Sequence, residues 1–262
     1  MKLYELMEKL EKLAPPELAL SWDNPGLICG RRDKEVQRVL LALDADNEAV
    51  EKAVREGCDL LLTHHPMIFK AVQKVNDSTA LGRKLLRLIQ ADICCYGMHT
   101  NFDAAPGCMA DLVCDRMGMT KEGPMEPSVD GNGIPQSYGI GFVGRLSTPA
   151  TAAALATRLK EQFSLNGAVF YDAGKPILRV AVCPGSGRGM LGLAEKLQAD
   201  AFITGDMGHH DGIDALDDGI SLIDAGHFGL EHLFTAFMAE FLRREAPDLT
   251  VLLEETDHRR FV

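Results

Sequence analysis

The sequence contains no run of the ~20 apolar residues that a membrane-spanning helix requires, so no such span is expected. It has no Cys-x-x-Cys pair. Its seven cysteines (Cys29, Cys58, Cys94, Cys95, Cys108, Cys114 and Cys183) are scattered and odd in number. That pattern argues against a zinc–cysteine site and a disulfide framework, and fits reduced, buried thiols in a cytoplasm. Positive charge is also short, with 27 Lys and Arg against 38 Asp and Glu and a net charge of −11. An acidic surface repels phosphate backbones, which argues against a nucleic-acid partner. The opening stretch MKLYELMEKLEKLAPPELAL lacks the apolar h-region and small-residue cleavage site of a signal peptide. It reads as an amphipathic helix stopped at Pro15-Pro16, and the expected location is cytoplasmic.

What is present is ordinary globular composition, 46% hydrophobic and 25% charged over 262 residues, enough for one large domain or two small lobes. Strand and helix patterns alternate. VQRVLLALD (36–44) reads as a buried strand, and NEAVEKAVREG (47–57) as a helix capped by Asn47. CDLLLT (58–63) is a second strand, STALGRKLLRLIQ (78–90) a helix capped by Ser78, and ADICCYGMHT (91–100) a third strand. Residues 121–138 are rich in Gly and Pro and read as a loop between lobes. Alternation then resumes. A strand is expected over 138–146, a helix over 148–163 with Pro149 in its first turn, and strands over 176–183, 199–204 and 220–226. Helices fall at 187–198 and 213–219, and a final one closes the pattern.

The two halves resemble each other. CDLLLT runs into His64-His65 and ADAFIT into GDMGHH, with Asp59 matching Asp200 and Thr63 matching Thr204. Each half then reaches a histidine with an acid four residues later: His99 with Asp103, and His227 with Glu231. The expectation is an α/β protein of two similar three-layer α/β lobes, an internal duplication, spanning 1–127 and 128–262 and packed around a central cleft. The cleft is expected at the C-terminal ends of the strands, where open α/β sheets bind ligands.

The histidines and acids at these strand ends carry the chemistry. His227 and Glu231 at i, i+4 share one face of a helix and form a chelating arm. Imidazoles with shared carboxylates suit Zn, Mn, Fe or Ni better than Ca or Mg. Three histidines and two carboxylates exceed one tetrahedral zinc and suit two metal ions ~3.5–4 Å apart. The competing reading of His64-His65 is a capped or surface pair, and of His-x-x-x-Glu an ordinary polar pair on a helix. CPGSGRGM (183–190) reads as a tight structural turn before it reads as a phosphate cradle, since it lacks the Gly-Lys-Ser/Thr of a P-loop. His209, His210 and Asp211 offer a further cluster of cleft-wall or surface residues.

Four stretches, SWDNPGLICG (21–30), LLTHHPMIF (61–69), MHTNFDAAPGCMAD (98–111) and LIDAGHFGLE (222–231), resemble in order and spacing the GTP cyclohydrolase I type 2-like family. This is also called the Ngg-interacting-factor-three-like family of dinuclear metal proteins, and the short form without an inserted domain is the closer match. The resemblance implies metal ligands at His64, His65, Asp103, His227 and Glu231, with Glu231 bridging and the two adjacent histidines serving different metals. It places His99 beside the ligands, where it would orient a group or shuttle a proton; a structural histidine bound to a backbone carbonyl is the alternative. It places Trp22, Asp23 and Asn24 on the cleft rim, against the alternative of a rigid turn built by Asn24, Pro25 and Gly26.

The function so implied is a dinuclear metal-dependent hydrolase-type protein taking a small-molecule substrate, nucleotides among the candidates. GTP ring opening, or related nucleotide or phosphoester hydrolysis, is the implied reaction. Two divalent transition-metal ions are the expected cofactors, with Zn, Mn, Fe and Ni the candidates. A homo-oligomer, a hexameric ring, is the expected assembly. The alternative is a non-catalytic metal-binding scaffold or adaptor.

Overall fold

The computed structural model describes residues 1–260; the last two residues of the expected second lobe lie outside them. The chain divides into two compact units. Met1–Phe102 combines with Phe234–Thr256, and Asp103–Leu233 combines with the chain end from Asp257. This differs from consecutive lobes meeting at residue 127. The reason lies in Thr250–Glu254, whose Val-Leu-Leu run pairs parallel with a strand near the N-terminus and so returns the chain to the first unit.

In the first unit, helix α1 (Leu3–Leu13) precedes strands β1 (Gly26–Cys29) and β2 (Arg38–Ala42). Helix α2 (Asn47–Arg55), β3 (Leu60–Thr63), α3 (Ala80–Gln90) and β4 (Cys94–Gly97) follow, then the short helix α4 (Thr100–Ala104), within which the first unit ends at Phe102. β2, β3 and β4 are parallel, with Leu41, Leu62 and Tyr96 in register, and β1 pairs antiparallel with β4. β3 is apolar without alternation and wholly buried, as a central parallel strand covered on both faces should be. Leu40, Leu61, Leu88, Ile93 and Cys95 form one core cluster with the inner face of α2. Helix caps fall one residue from expectation. Asp46, not Asn47, accepts from Ala49 N–H, and Thr79, not Ser78, from Gly82 N–H.

In the second unit, α5 (Met109–Met117) leads to β5 (Thr120–Gly123), β6 (Glu126–Val129), β7 (Pro135–Ile140) and β8 (Phe142–Ala150). Then come α6 (Ala152–Gln162), β9 (Val169–Tyr171), β10 (Ile177–Ser186), α7 (Leu191–Lys196), β11 (Ala201–Gly205), α8 (His209–Asp217), β12 (Ser221–Asp224) and α9 (His227–Glu231). The sheet order is β5-β8-β10-β11-β12-β9, with β10, β11 and β12 parallel and the rest antiparallel. The Gly- and Pro-rich stretch expected as a loop holds β5 and the β6–β7 hairpin. Asp130 Oδ1 accepts from Asn132 and Ile134 N–H to close its turn. A two-stranded ribbon leaves one edge of each strand unpaired, which is where Pro127 and Pro135 are tolerated. The single strand expected over 138–146 is two, because the chain turns at Gly141, where φ is 61° and a Cβ would lie 2.6 Å from Val182 O. Pro149 lies in β8, and α6 starts three residues later at Ala152, behind Thr151, whose hydroxyl accepts from Ala154 N–H. The expected final helix is two, α9 and α10 (Leu233–Glu245), broken at His232.

The parallel cores of the units use the same latch. Asp59 Oδ2 accepts from the N–H groups of Gln37 and Arg38, at 2.9 and 3.0 Å. Asp200 Oδ2 accepts from Leu178 and Arg179, at 2.9 and 2.8 Å. Beyond the strands, Met98 N–H donates to Thr63 O and Ala225 N–H to Thr204 O. By that correspondence His99 matches Gly226, one residue short of His227, so the expected pairing of His99 with His227 is offset by one. Hydrogen bonds to a charged acceptor contribute roughly 1.5–3 kcal/mol. Asp200→Ala is therefore expected to lower stability by about 2 kcal/mol, read as a shifted urea midpoint; an unchanged midpoint would show that the latch carries no load.

Candidate metal-binding residues

In the first unit the paired histidines follow directly from β3. Their N–H groups still donate to β2 and the residue after it, His64 to Ala42 O at 3.3 Å and His65 to Leu43 O at 2.9 Å. Pro66, which has no N–H, ends this ladder. Both rings are buried, as the covered faces of the central strand β3 lead one to expect, with His64 0% and His65 9% exposed. Their centroids are 4.9 Å apart. His64 Nδ1 lies 2.7 Å from Met98 O and His65 Nδ1 2.9 Å from Asp44 Oδ1. A carbonyl oxygen only accepts, so the proton of neutral His64 sits on Nδ1 and the lone pair on Nε2. Asp44 imposes the same tautomer on His65. The ring of His99 stands 5.3 Å from that of His64 and 5.4 Å from that of His65, and one nitrogen from each of the three lies within 4.8 Å of the others.

His99 is tied by a carboxylate, not by a backbone carbonyl: its Nδ1 is 2.8 Å from Asp23 Oδ1. Asp23 is saturated as an acceptor. Oδ1 also takes Asn24 N–H at 2.7 Å, and Oδ2 takes the N–H and O–H of Thr100 at 2.9 and 2.5 Å. Burial pushes its carboxyl up, but the hydrogen bonds from His99 and Thr100 outweigh that and hold it at about 2. Of the other two rim candidates, Trp22 is exposed, and Asn24 Nδ2 donates to Ile68 O at 2.8 Å, fastening this segment to the loop after β3.

In the second unit, α9 presents His227 and Glu231 on one face, Nε2 to Oε2 at 3.1 Å. His227 Nδ1 lies 2.7 Å from Asp206 Oδ2. Asp206 adopts φ of 62°, a left-handed conformation that aspartate tolerates better than most residues. Glu231 is 2% exposed, and one of its oxygens lies within 4.8 Å of one of Asp103. Gly185 backs this arm: its φ is 72°, and a Cβ there would run into Glu231 Oε1. The first half of the CPGSGRGM stretch, expected as a turn throughout, is instead the end of β10, and the turn follows it from Gly187 to Met190. Gly187 lies against Thr204, and Arg188 donates to Asp206 O at 3.3 Å. Cys183 is held as a thiol, its pKa raised first by burial and then by the charges of Asp103 and Glu231. His209 and His210 are exposed on the first turn of α8, and among the described residues they join no group able to hold a metal.

These donors fit a transition-metal ion. Four imidazoles, those of His64, His65, His99 and His227, are each oriented through Nδ1 by an oxygen acceptor, the arrangement that metal-binding histidines normally show. Two acidic side chains placed close together, one of them buried, repel each other when ionised, and a divalent cation removes that cost. Asp44, Asp206 and Gly185 were invisible as site residues in the sequence. The available signal was their position immediately after a strand or at its C-terminal end, next to a candidate ligand.

Fold and donors define a mixed α/β protein with histidine and carboxylate sets beyond the ends of parallel strands. The model of the Duf34/NIF3 (NGG1p interacting factor 3) family matches residues 1–259, and the chain belongs to that family. It is 34% identical over 232 residues to a Clostridium perfringens protein named GTP cyclohydrolase 1 type 2 homolog, covering 88% of this chain and 87% of the other. A Staphylococcus aureus hypothetical protein of known crystal structure matches with a TM-score of 0.89 at 29% identity, over 100% of this chain and 99% of that one. Reduced HcgD from Methanocaldococcus jannaschii matches with a TM-score of 0.84 at 27% identity, over 98% of each chain. No helix among the described residues is long and apolar enough to cross a membrane.

The Asp23 carboxyl, lowered from 3.8 to about 2, stabilises the fold at pH values above its unfolded pKa, and that contribution is lost as pH falls through about 2. The lowering corresponds to about 2 kcal/mol. Asp23→Asn is expected to destabilise the chain by that order at neutral pH, with the gap to wild type closing toward pH ~2. Urea unfolding across that range checks it, and a pH-independent gap would contradict it.

Proposed function

We propose that the protein is a dinuclear metal-dependent hydrolase-type enzyme acting on a small-molecule substrate, with nucleotides the first class to test. His64, His65, Asp103, His227 and Glu231 are the proposed ligands, with Glu231 as the bridge. The observation that carries this reading is the fixing of His64, His65 and His227 through Nδ1, which leaves Nε2 of each as the donor atom. When bound, two such ions supply Lewis acidity and a water acidic enough to attack near neutral pH. The chain's own part is to orient. Asp44 and Met98 O hold the paired imidazoles, Asp206 holds His227, and Gly185 leaves room for the Glu231 carboxylate. Asp23 keeps His99 facing the paired histidines, where it would carry a proton to or from the substrate. The name of the Clostridium perfringens relative directs the first substrate test to GTP.

The purified protein is expected to carry close to two transition-metal ions per chain, of Zn, Mn, Fe or Ni, and His64→Ala with His65→Ala to remove them. Elemental analysis finding none after metal-replete purification sinks the assignment. Gly185→Ala should weaken metal affinity by roughly 10–100-fold. Metal-loaded protein is expected to turn over GTP or a member of a phosphoester panel, and Glu231→Gln to abolish this without rescue by added metal. A chain that keeps its metal and turns over nothing is a scaffold instead. The proposed assembly is a hexameric ring, and a stable monomer by light scattering would refute it.

A further inference from the structure

We infer that Trp22, Phe69 and His99 form a recognition site for a planar, nucleobase-type heteroaromatic ring, stacked on the two aromatic side chains and hydrogen-bonded by His99 Nε2. The inference deepens the function proposed above by naming its substrate class, and rests on that reading only for the presence of a small-molecule substrate.

Trp22 is 60% and Phe69 48% exposed. Large aromatic side chains are ordinarily buried, and one pair exposed around one polar group marks a contact surface. Both rings meet the same histidine, Trp22 at a centroid distance of 5.8 Å and Phe69 at 5.5 Å, with interplanar angles of 70° and 82°. They arrive from different segments that are fastened together before any ligand binds, since Asn24 Nδ2 donates to Ile68 O one residue before Phe69. Preorganisation of this kind lowers the entropic cost of binding.

His99 supplies the polar term. Asp23 already accepts the Asn24 N–H and the Thr100 N–H and O–H, so it acts as an ionised acceptor and draws the neutral imidazole's proton to Nδ1. Nε2 is then a fixed acceptor, and among the described residues it makes no hydrogen bond. A ring carrying N–H or amino donors on its edge satisfies it, whereas a bare phosphate offers no face to stack.

The chain's single tryptophan is Trp22, so fluorescence excited selectively at tryptophan, away from the tyrosine absorption, reports on this site. Guanosine is expected to quench it saturably, and ribose 5-phosphate, which has no ring, to leave it unchanged. Phe69→Ala and His99→Ala should each raise the guanosine Kd about fivefold or more. Trp22→Leu should show the same loss by equilibrium dialysis, with circular dichroism confirming the fold of each variant. Absence of saturable quenching, an equal response to ribose 5-phosphate, or an unchanged Kd in folded Phe69→Ala overturns the inference. Saturable quenching by guanosine in protein that hydrolyses nothing sustains the ring site while defeating the hydrolase.

Discussion

The imidazole Nδ1 bond is the constraint on which the candidate chemistry depends. A histidine offers two nitrogens, and a free ring shares its proton between them and rotates about two side-chain bonds. Here Met98 O, Asp44, Asp23 and Asp206 each take Nδ1 of one ring. That single contact fixes the tautomer, sets the ring plane and leaves Nε2 as the working atom. Replacing any of these acceptors would leave the histidine present and chemically different.

The acceptors are available because of where parallel strands end. In the first unit β2, β3 and β4 run side by side in register, so Asp44, the two histidines and Met98 leave the sheet at one level. In the second, Asp206 and His227 follow β11 and β12 in the same way. The aspartate latches at Asp59 and Asp200 tie the opposite ends of the same strands, which holds the register that brings anchor and ring to the same height. A slip of one residue in such a sheet would turn every side chain to the other face.

Much of this was legible in the sequence, though unevenly. The strand–helix alternation and the position of His64-His65 at a strand end follow from local apolar pattern, which is why those elements agree closely. The equivalence of Asp59 and Asp200 was also visible, and the structure gives both the same hydrogen-bonding job. The His-x-x-x-acid spacing made Asp103 and Glu231 candidates, but only the family resemblance chose the ligand reading over an ordinary polar pair, since an acid four residues after a histidine is commonplace on helices. The return of Thr250–Glu254 to β2 was illegible because strand pairing across two hundred residues leaves no local mark. The β6–β7 hairpin was hidden for the opposite reason: its Pro and Gly content imitates a loop, and only the pairing of its strands reveals it. Aspartates 44 and 206 escaped because turns after strands are rich in aspartate whether or not a histidine is near.

The two units present their donors with different electrostatics. Around His64 and His65 the donor atoms are neutral nitrogens among apolar rings, with Phe102 and Phe234 at 6.1 and 5.3 Å from His64. Around Glu231 they are carboxylates, one of them buried, beside a Cys183 thiol whose proton those charges help retain. A neutral imidazole can be buried at the cost of one hydrogen bond, which Nδ1 already makes. A buried carboxylate demands a counter-charge. His227 supplies part of one only when protonated, and protonation at Nε2 removes the lone pair that would bind metal. A divalent cation resolves that conflict by taking the lone pair and the carboxylate together. The acidic arm therefore has the stronger physical reason to be occupied, and the histidine pair the stronger reason to be selective for a transition metal.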